Sequence, residues 1–523
     1  MRSSRPQVKT WIAGSLLAAV AAAAAAHESS AADRYILTPP PPATPRINGA
    51  AVIGVRPGHP LLYTIAASGD RPMSFAAEGL PRSLSLDHDS GRISGVIEDP
   101  THREYAVTLA AANALGRAER QLRIRVGEAI CLTPPMGWNS WNCWGPSVDA
   151  EKVLASARAM VQKGLLNHGW TYVNIDDAWQ GAERGGPFHA IQGNDRFPDM
   201  KGLCDEIHAL GLKVGIYSTP WVTSYAGYIG GSSDREDGAW RPPATAREKT
   251  DSRRFGRFSF SKSDARQFAA WGIDYLKYDW KPNTAAETIA MARALRGSGR
   301  DVVLSLSNSA PYELAGEWSA HAQLWRTTLD IRDEWDSHPV HMGIQQIRVL
   351  HEKWAPYNGP GHWCDPDMLV VGQVGWREAL HDANLTPDEQ YSHISLWCLW
   401  SAPLLIGCPI ETMDDFTLAL LTNDEVLAVN QDPLGKQAVV VEKDGERLVY
   451  AKPLADGSYA AGLFNLSDQS DEVTLHLFKS LNLKGEYKFR DLWRQEDVGV
   501  FANALTQTVP PHGVVLVKFT EVN

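Results

Sequence analysis

The chain has 523 residues, of which 44% are hydrophobic and 21% are charged, a balance typical of a folded protein rather than of a disordered or membrane protein. Its formal net charge is −11, which argues against nucleic acid or an anionic membrane as the main partner. This length predicts two or three domains, and the acidic surface suits a neutral substrate that needs no electrostatic steering.

Positions 1–32 are typical of an export signal. Arg2, Arg5 and Lys9 precede the apolar run Trp11–Ala26, and small residues that suit a signal peptidase follow. The run is shorter than the roughly 20 residues of a membrane-spanning helix. We therefore expect a cleaved signal peptide and a secreted or periplasmic protein, and no later stretch predicts a membrane span.

Six cysteines remain after the signal, at positions 131, 143, 204, 364, 398 and 408. Export permits disulfides, but six cysteines in so long a chain do not make a disulfide framework, and the sequence does not predict their pairing. Neither Cys-x-x-Cys nor His-Glu-x-x-His occurs, so we predict no metal site.

A proline-rich linker at 33–46 leads into short alternating runs at 47–127. Proline-rich chain is stiff and extended, so the linker is predicted to be a spacer. Runs such as Tyr105–Leu109 and Leu122–Val126, separated by turn residues, predict a small β-sandwich. The segment resembles the immunoglobulin-like modules of bacterial secreted enzymes, which implies a spacer or attachment module, with sugar binding as the weaker alternative.

Positions 131–433 alternate short β-type runs with amphipathic segments such as Ala150–Lys163 and Lys262–Trp271. Eight such units over roughly 300 residues predict a (β/α)8 TIM barrel, whose active site lies where the strands end. The predicted strands are Met136–Trp141, Tyr172–Asp177, Val214–Ser218, Tyr275–Asp279, Val302–Ser307, Leu324–Asp330, His362–Asp367 and Pro403–Gly407.

Positions 436–523 return to alternating runs such as Tyr459–Phe464 and predict a C-terminal antiparallel β-sandwich. The predicted fold class is therefore multidomain, α/β plus all-β. A TIM barrel is flanked by an N-terminal immunoglobulin-like sandwich and a C-terminal sandwich.

The fourth and the sixth predicted strands each end in a carboxylate. Because side chains alternate along a strand, Lys277 and Asp279 share one face, as do Arg326 and Asp330, and the polar face of a barrel strand points inward. Buried charges are costly unless they are paired or used. Either these residues form structural ion pairs, or Lys277 keeps Asp279 ionised as a nucleophile requires.

The second strand ends in Asp176 and Asp177, and adjacent carboxylates cannot both face inward on a regular strand, so we expect the chain to bend there. Acceptor-only groups suit a polyhydroxyl ligand. Calcium is a rival, but the spaced acidic loop that it usually needs is absent. Trp141, Tyr217 and Ser307 at other strand ends add aromatic and hydroxyl groups that suit a carbohydrate.

Six motifs occur at or beyond these strand ends: Thr133–Trp141, Asn174–Asp177, Gly215–Tyr217, Tyr275–Asp279, Asp365–Met368 and Asn430–Gly435. They resemble glycoside hydrolase family 27, the α-galactosidases and α-N-acetylgalactosaminidases, from about position 131 to the C-terminus. The resemblance implies a TIM barrel and a retaining exo-α-galactosidase that needs no cofactor. Its substrate would be an oligosaccharide or polysaccharide with terminal α-galactosyl groups.

Residue by residue, the resemblance implies that Asp279 is the nucleophile and Asp330 the acid/base. It implies that the terminal sugar is bound by Trp141, Asp176, Asp177, Tyr217, Lys277, Arg326 and Met368. The mechanism implied is double displacement through a covalent glycosyl-enzyme. Such a mechanism places the two carboxyls roughly 5–5.5 Å apart, against about 6.5–9.5 Å for inversion.

The sequence departs from the family where Leu306-Ser307-Asn308 replaces Cys-Glu-Trp, and Ser307 resembles the roomier pocket of enzymes that accept a 2-acetamido group. The alternatives are therefore α-N-acetylgalactosaminidase, β-L-arabinopyranosidase or isomalto-dextranase on the same barrel, or a carbohydrate-binding barrel without turnover. Trp221–Phe260 forms a long loop that we expect to shape the leaving-group side. Cysteines that are paired in animal members are replaced here by Ala178, Trp280 and Leu306, so those disulfides are not expected.

Overall fold

The structure is a computed structural model that describes residues 35–101, 103–336, 342–376 and 379–522. The predicted signal peptide lies outside the described residues. No helix in the described ranges is both long and apolar enough to cross a membrane. All six cysteines are described, and none of them is in a disulfide.

Eight parallel strands form the central sheet, and each is followed by helix, which confirms the predicted TIM barrel. In chain order from β1 to β8 they are Met136–Asn139, Tyr172–Asn174, Lys213–Ser218, Tyr275–Asp279, Val303–Ser307, Leu324–Arg326, Trp363–Asp365 and Leu404–Ile406. Neighbours pair in sequence order, β8 pairs with β1, and a parallel bridge from Leu369 to Ile406 joins the β7 segment to β8. The sheet therefore closes.

The helices bury one face against the strands. From α1 to α9 they are Ala150–Gln162, Met200–Ala209, Ser261–Trp271, Ala285–Arg296, Ala315–His321, Ile344–His351, Pro387–Leu399, Asp415–Leu421 and Asp424–Asn430. Side-chain caps start several of them because the first backbone N–H groups of a helix need acceptors. Asp149 caps α1, and Thr386 with Glu389 makes a reciprocal capping box on α7.

The loops of the barrel carry short elements. The helical ones are Trp141–Trp144, Gly145–Ser147, Leu165–His168, Ala246–Asp251, Tyr312–Leu314, Glu352–Tyr357 and Ile410–Thr412. The strand pairs are Gln180–Gly185 with Ala190–Gly193, Ser232–Ser233 with Phe258–Ser259, and Gln373–Val374 with His381–Asp382.

Several strands of the barrel end earlier than the sequence predicts. β1, β2 and β6 end at Asn139, Asn174 and Arg326, which lie two, three and four residues before the predicted ends. The chain turns at these points, and Ala178 has a φ of +89°. The expected bend at Asp176 and Asp177 is present, whereas strand alternation does not explain the position of Asp330, which lies beyond β6.

The N-terminal module is a small β-sandwich with its own apolar core. One sheet contains Val52–Val55, Gly116–Val126, Glu104–Asn113 and Ser74–Glu78. The other contains Pro60–Thr64, Arg92–Val96 and Leu84–Leu86, and a separate short pair joins Arg46–Ile47 to Ala67–Ser68. The module packs on the barrel face where the strands begin. Arg56 and His59 both contact Asp301, which precedes β5, at 2.9 Å.

Side chains of the barrel bond to the backbone of the predicted linker. The hydroxyl of Tyr391 on α7 donates to the carbonyl of Tyr35 and accepts from the N–H of Leu37, each at 2.9 Å. Asn423 donates to the hydroxyl of Thr38 at 3.1 Å. Because extended backbone leaves its polar groups unpaired, side chains of the barrel satisfy them and hold the linker along its flank.

The C-terminal sandwich packs against α7. Its larger sheet contains Val439–Asp444, Arg447–Pro453, Tyr459–Asn465, Val514–Glu521, Tyr487–Asp491 and Glu496–Phe501. Its smaller sheet contains Asp471–His476 and Ala504–Val509, and the short helix Leu477–Leu481 follows the first of these two strands in the chain. Almost all of α7 is buried, since it lies between two apolar layers. Lys452 is also buried here and donates to Val429, Cys398 and Ser401.

Candidate active site

A cleft of about 610 Å³ opens at the ends of the barrel strands. This is the end where the loops of a TIM barrel gather, opposite the N-terminal module. The sequence predicts ten residues for the site, and all ten line the cleft: Trp141, Asp176, Asp177, Tyr217, Lys277, Asp279, Ser307, Arg326, Asp330 and Met368.

Asp279 ends β4 and is only 5% exposed. It pairs in register with Ser307 at the end of β5, and the next residue, Asn308, donates from Nδ2 to its Oδ1. Asn308 has a φ of +74°, a conformation that Asn tolerates better than most residues. The left-handed turn directs the amide to the carboxylate, so that one oxygen is held while the other lines the cleft.

The pKa of Asp279 is raised to about 7, chiefly because burial disfavours its charge. The negative charge of Asp330 adds to the rise, while Lys277 and the Asn308 hydrogen bond oppose it. The sequence interpretation that Lys277 keeps Asp279 ionised is therefore incomplete. The attraction is present, but the cost of burial is larger.

Lys277 pairs with Asp176 rather than directly with Asp279. Its Nζ lies 2.9 Å from Asp176 Oδ2, which also accepts from Asn139 at 2.8 Å. Burial alone would lower the pKa of Lys277, but the carboxylates of Asp176 and Asp279 outweigh it and raise that pKa. The ammonium therefore stays charged at the bottom of the cleft, where it can donate to ligand oxygens.

Asp177 is held by the loop that follows β3. The backbone N–H of Ala226 donates to its Oδ2 at 2.7 Å, and Gln180 and the N–H of Ala178 donate to Oδ1. Burial raises its pKa, and the bond from Ala226 opposes the rise. The Ser224 hydroxyl bonds to the same carboxyl, which is thus fixed by four donors from two segments.

Asp330 is the exposed carboxylate of the cleft, with 68% of its side chain accessible to water. Arg326 lies between it and the buried Asp367, at 3.3 Å from Asp330 Oδ1 and 2.7 Å from Asp367 Oδ2. Asp367 also accepts from the N–H of Ile331 at 2.8 Å, which fixes the backbone beside Asp330. Arg326 therefore holds two carboxylates in place, which agrees with the structural ion pair that strand alternation offers as one alternative.

The other predicted residues complete the walls. The hydroxyl of Tyr217 is buried and has no partner among the described residues, so it can hydrogen-bond to a ligand. Trp141 begins the short helix after β1, and its N–H donates to Asn139. Ser307 is buried, its carbonyl accepts from Asn283, and Met368 is 6% exposed.

The residues that sequence reasoning missed come mainly from turns and loops. Asn308 and Asp367 both have positive φ values, at +74° and +92°, and both contact a predicted site residue. Each stands in a segment that the sequence analysis singles out, so their polar side chains were the available signal. Tyr225 and Arg253 also line the cleft, and they lie in the long loop whose conformation no sequence pattern predicts.

A buried carboxylate and an exposed carboxylate in one cleft, among groups that bind hydroxyls, define a glycoside hydrolase on a TIM barrel. Family models match most of the chain between positions 44 and 519. The model described as Alpha galactosidase A matches residues 133–240 and 245–432, its C-terminal β-sandwich domain matches 444–519, and an immunoglobulin-like domain matches 44–127. The chain belongs to the Alpha galactosidase A family.

Individual relatives are similar over most of their length. Alpha-galactosidase 2 of Arabidopsis thaliana is 35% identical over 406 residues, covering 76% of this chain and 92% of the relative. A Bacteroides fragilis structure provisionally described as an alpha-galactosidase is 34% identical with a TM-score of 0.81, covering 92% of this chain and 98% of that one. A β-L-arabinopyranosidase of Geobacillus stearothermophilus is 30% identical with a TM-score of 0.63, covering 75% and 98%.

Proposed function

We propose that the protein is a retaining exo-α-galactosidase that removes terminal α-D-galactosyl residues from oligosaccharides or polysaccharides. The observation that carries this proposal is the pair of unlike carboxylates. Asp279 is buried and held at one oxygen by Asn308, whereas Asp330 is exposed at the mouth beside Arg326. The first environment suits a positioned nucleophile, and the second suits a group that exchanges protons with a leaving group and with water.

In the proposed reaction, protonated Asp330 donates to the glycosidic oxygen while Asp279 attacks the anomeric carbon. A β-galactosyl ester of Asp279 forms and the leaving sugar departs. Asp330 then takes a proton from water, which attacks the same carbon and releases galactose with its α-configuration retained.

The active form of the pair holds one proton, on Asp330. The charge of Asp330 raises the pKa of Asp279, so protonation of Asp330 lowers that pKa and favours the ionised nucleophile.

The remaining cleft residues bind the terminal sugar in this proposal. Asp176, Asp177 and Lys277 lie deep in the cleft and offer acceptors and a charged donor to ring hydroxyls. Tyr217 offers its unpaired hydroxyl, and Trp141 offers an apolar ring face. From the N-terminal signal pattern we also propose that the protein acts in the periplasm or outside the cell.

A second candidate is a β-L-arabinopyranosidase, which one observation favours. The family member of that name covers three quarters of this chain, and arabinopyranose is the galactose ring without its hydroxymethyl arm. The small Ser307 likewise keeps α-N-acetylgalactosaminidase as an alternative.

The experiment compares kcat/KM of the purified mature protein on nitrophenyl α-galactoside, α-N-acetylgalactosaminide and β-L-arabinopyranoside. We expect the galactoside to be the best substrate. A clearly higher kcat/KM on another sugar would leave the proposed mechanism in place but identify that sugar as the substrate. Asp279→Gly should be inactive and should form β-galactosyl azide from an activated galactoside when azide is added. Near-normal hydrolysis by that variant would remove Asp279 from the nucleophile role.

A further inference from the structure

The outer face of the loop Trp221–Phe260 carries a second depression, of about 580 Å³, which shares no lining residue with the active-site cleft. The short helix Ala246–Asp251 lies between the two spaces. Lys249 lines the cleft, whereas Glu248 and Asp251 line the depression. Because neighbouring side chains of a helix point in different directions, this segment presents a separate set of side chains to each space. The depression and the cleft are therefore divided by a single wall.

Two contacts fix this wall relative to the barrel. The Ala226 N–H donates to the cleft carboxylate Asp177 at 2.7 Å. Arg184 Nη2 donates to the carbonyl of Gly230 at 2.7 Å, and the same guanidinium lies 4.0 Å from the centre of the Phe260 ring. A ligand bound on the outer face of the loop would therefore be held at a constant distance from the cleft.

Trp240 lines the depression and is only half-buried. Among the tryptophans of the described ranges, all others are buried except Trp141, Trp144 and Trp376. Trp141 and Trp376 line the cleft, and the ammonium of Lys152 lies 5.5 Å from the centre of the Trp144 ring. Trp240 is thus the exposed tryptophan whose position neither the cleft nor a neighbouring cation explains.

The indole of Trp240 presents an apolar surface to the depression. Its N–H donates at 3.0 Å to the hydroxyl of Thr223, which is 1% exposed. Because the polar group of the indole is turned inward and satisfied, the part that borders the depression is carbon. Pro243 adds a second apolar side chain beside it. A ring that is already held in place loses little conformational entropy when the C–H face of a sugar packs against it.

The polar side chains around the indole carry both signs of charge. Those with charged groups are Asp234, Glu248, Asp251, Arg235, Arg241 and Arg254. Arg254 Nη1 donates to Asp234 at 3.0 Å, and Arg241 is exposed. Because the two signs balance, the depression favours neither an anion nor a cation. Donors and acceptors around an apolar surface suit a neutral ligand whose hydroxyls both donate and accept.

We propose that this depression is a surface site for a neutral polysaccharide, in which Trp240 packs on a sugar ring of the polymer while the cleft removes a terminal galactosyl group from the same molecule. The inference rests on the proposed function for its choice of polymer. It goes beyond that function because the site lies outside the cleft and takes no part in bond cleavage. A polymer held beside the cleft raises the effective concentration of its galactosyl branches, whereas a small substrate cannot occupy both sites.

The first test compares kcat/KM on a galactose-substituted β-mannan with kcat/KM on nitrophenyl α-galactoside. Trp240→Ala should lower the polymer-to-aryl ratio about three- to tenfold, the effect of losing one ring contact. Its kcat/KM on the aryl galactoside should stay at the wild-type value, which shows that the fold and the cleft are intact. Trp240→Phe should retain part of the ratio because a smaller ring remains.

Two further variants separate the site from loosening of the loop. Arg241→Ala removes an exposed side chain of the depression without disturbing a packed core, and it should lower the ratio about twofold through a lost hydrogen bond. The matched control is Phe255→Ala, which removes another aromatic of the loop that is 42% exposed and lines neither space. It should leave the ratio unchanged.

The second test measures binding without turnover, by migration of the whole protein in native gels that contain the same mannan. Saturating galactose in the gel occupies the cleft, so retardation that persists reports a site outside it. The wild-type protein should remain retarded, and Trp240→Ala should migrate faster.

Two failures are distinguishable. An active wild-type enzyme whose polymer-to-aryl ratio does not change in Trp240→Ala, or whose retardation is absent once galactose is added, would overturn the surface site alone. A wild-type protein that is inactive on galactosides but is retarded by the mannan through Trp240 would overturn the proposed function and leave the surface site in place.

Discussion

Removing the Asn308 side chain should raise the pKa of Asp279 and shift the acid limb of activity. The suitable variant is Asn308→Gly, because the residue has a φ of +74°, which glycine adopts without strain. The variant removes the donor to Asp279 and leaves the turn intact. Asn308→Ala removes the same donor but strains the backbone. Comparing the two variants therefore distinguishes the effect of the lost amide donor from the effect of a strained turn.

The magnitude follows from the bond that is lost. A hydrogen bond to a charged group contributes about 1.5–3 kcal/mol. One pKa unit corresponds to about 1.4 kcal/mol, so the pKa of Asp279 should rise from about 7 by roughly one to two units. The sign is fixed because the amide stabilises the ionised carboxylate more strongly than the neutral acid. At pH values below the pKa of Asp279, kcat/KM of Asn308→Gly should therefore be about 10- to 100-fold lower than that of the wild-type enzyme.

The assay is the pH profile of kcat/KM, which reports the ionisations of the free enzyme. Both variants should show the displaced acid limb, and Asn308→Ala should in addition unfold at a lower temperature than Asn308→Gly. An acid limb that stays in place in Asn308→Gly would refute the reasoning, since the bond would then contribute nothing to the ionised state.

Three further outcomes are expected. Asp330→Ala should slow a galactosyl disaccharide more than an activated aryl galactoside, because a good leaving group needs less protonation, and equal losses would contradict the acid role. Asp301→Ala should lower the free energy of unfolding by about 3 kcal/mol in urea, because Arg56 loses its partly buried ion-pair partner and His59 loses a hydrogen bond. The value of kcat/KM at the opposite end of the barrel should stay normal. Burial lowers the pKa of Lys452 to about 7 against an ordinary value of 10.5. Between these pH values the unfolded chain binds more protons than the folded chain does, so the free energy of unfolding of the wild-type enzyme should rise from pH 7 to 10. Lys452→Met should lack this gain, and an unchanged slope of stability with pH would exclude Lys452 as its source.

The barrel and the inward carboxylate Asp279 could be predicted because they depend on local pattern. Short apolar runs before helical segments give the strands, and alternation along β4 gives the face of Asp279. Asp330 does line the cleft, as predicted, but it lies beyond the real end of β6. Its position was therefore predicted by the family resemblance and not by the alternation of side chains along a strand.

Other features depend on contacts between distant segments, which no local pattern encodes. The donor from Ala226 to Asp177 joins positions 49 residues apart, and the contacts of Asp301 with Arg56 and His59 span more than 240. The proline content of the linker predicts extended chain, but it carries no information on the tyrosine of α7 that pairs with its backbone.

The bond from Ala226 to Asp177 limits how this barrel can be re-engineered. Asp177 is buried, and the loop Trp221–Phe260 supplies two of its hydrogen-bond donors. Exchanging this loop for a short one would leave a buried carboxyl with lone pairs unmatched, a defect that costs free energy on its own. A graft intended to change which glycans are trimmed must therefore carry its own N–H donor to that oxygen. When chimeras are selected, the presence of an N–H donor to Asp177 should be the first criterion, before the length or composition of the new loop.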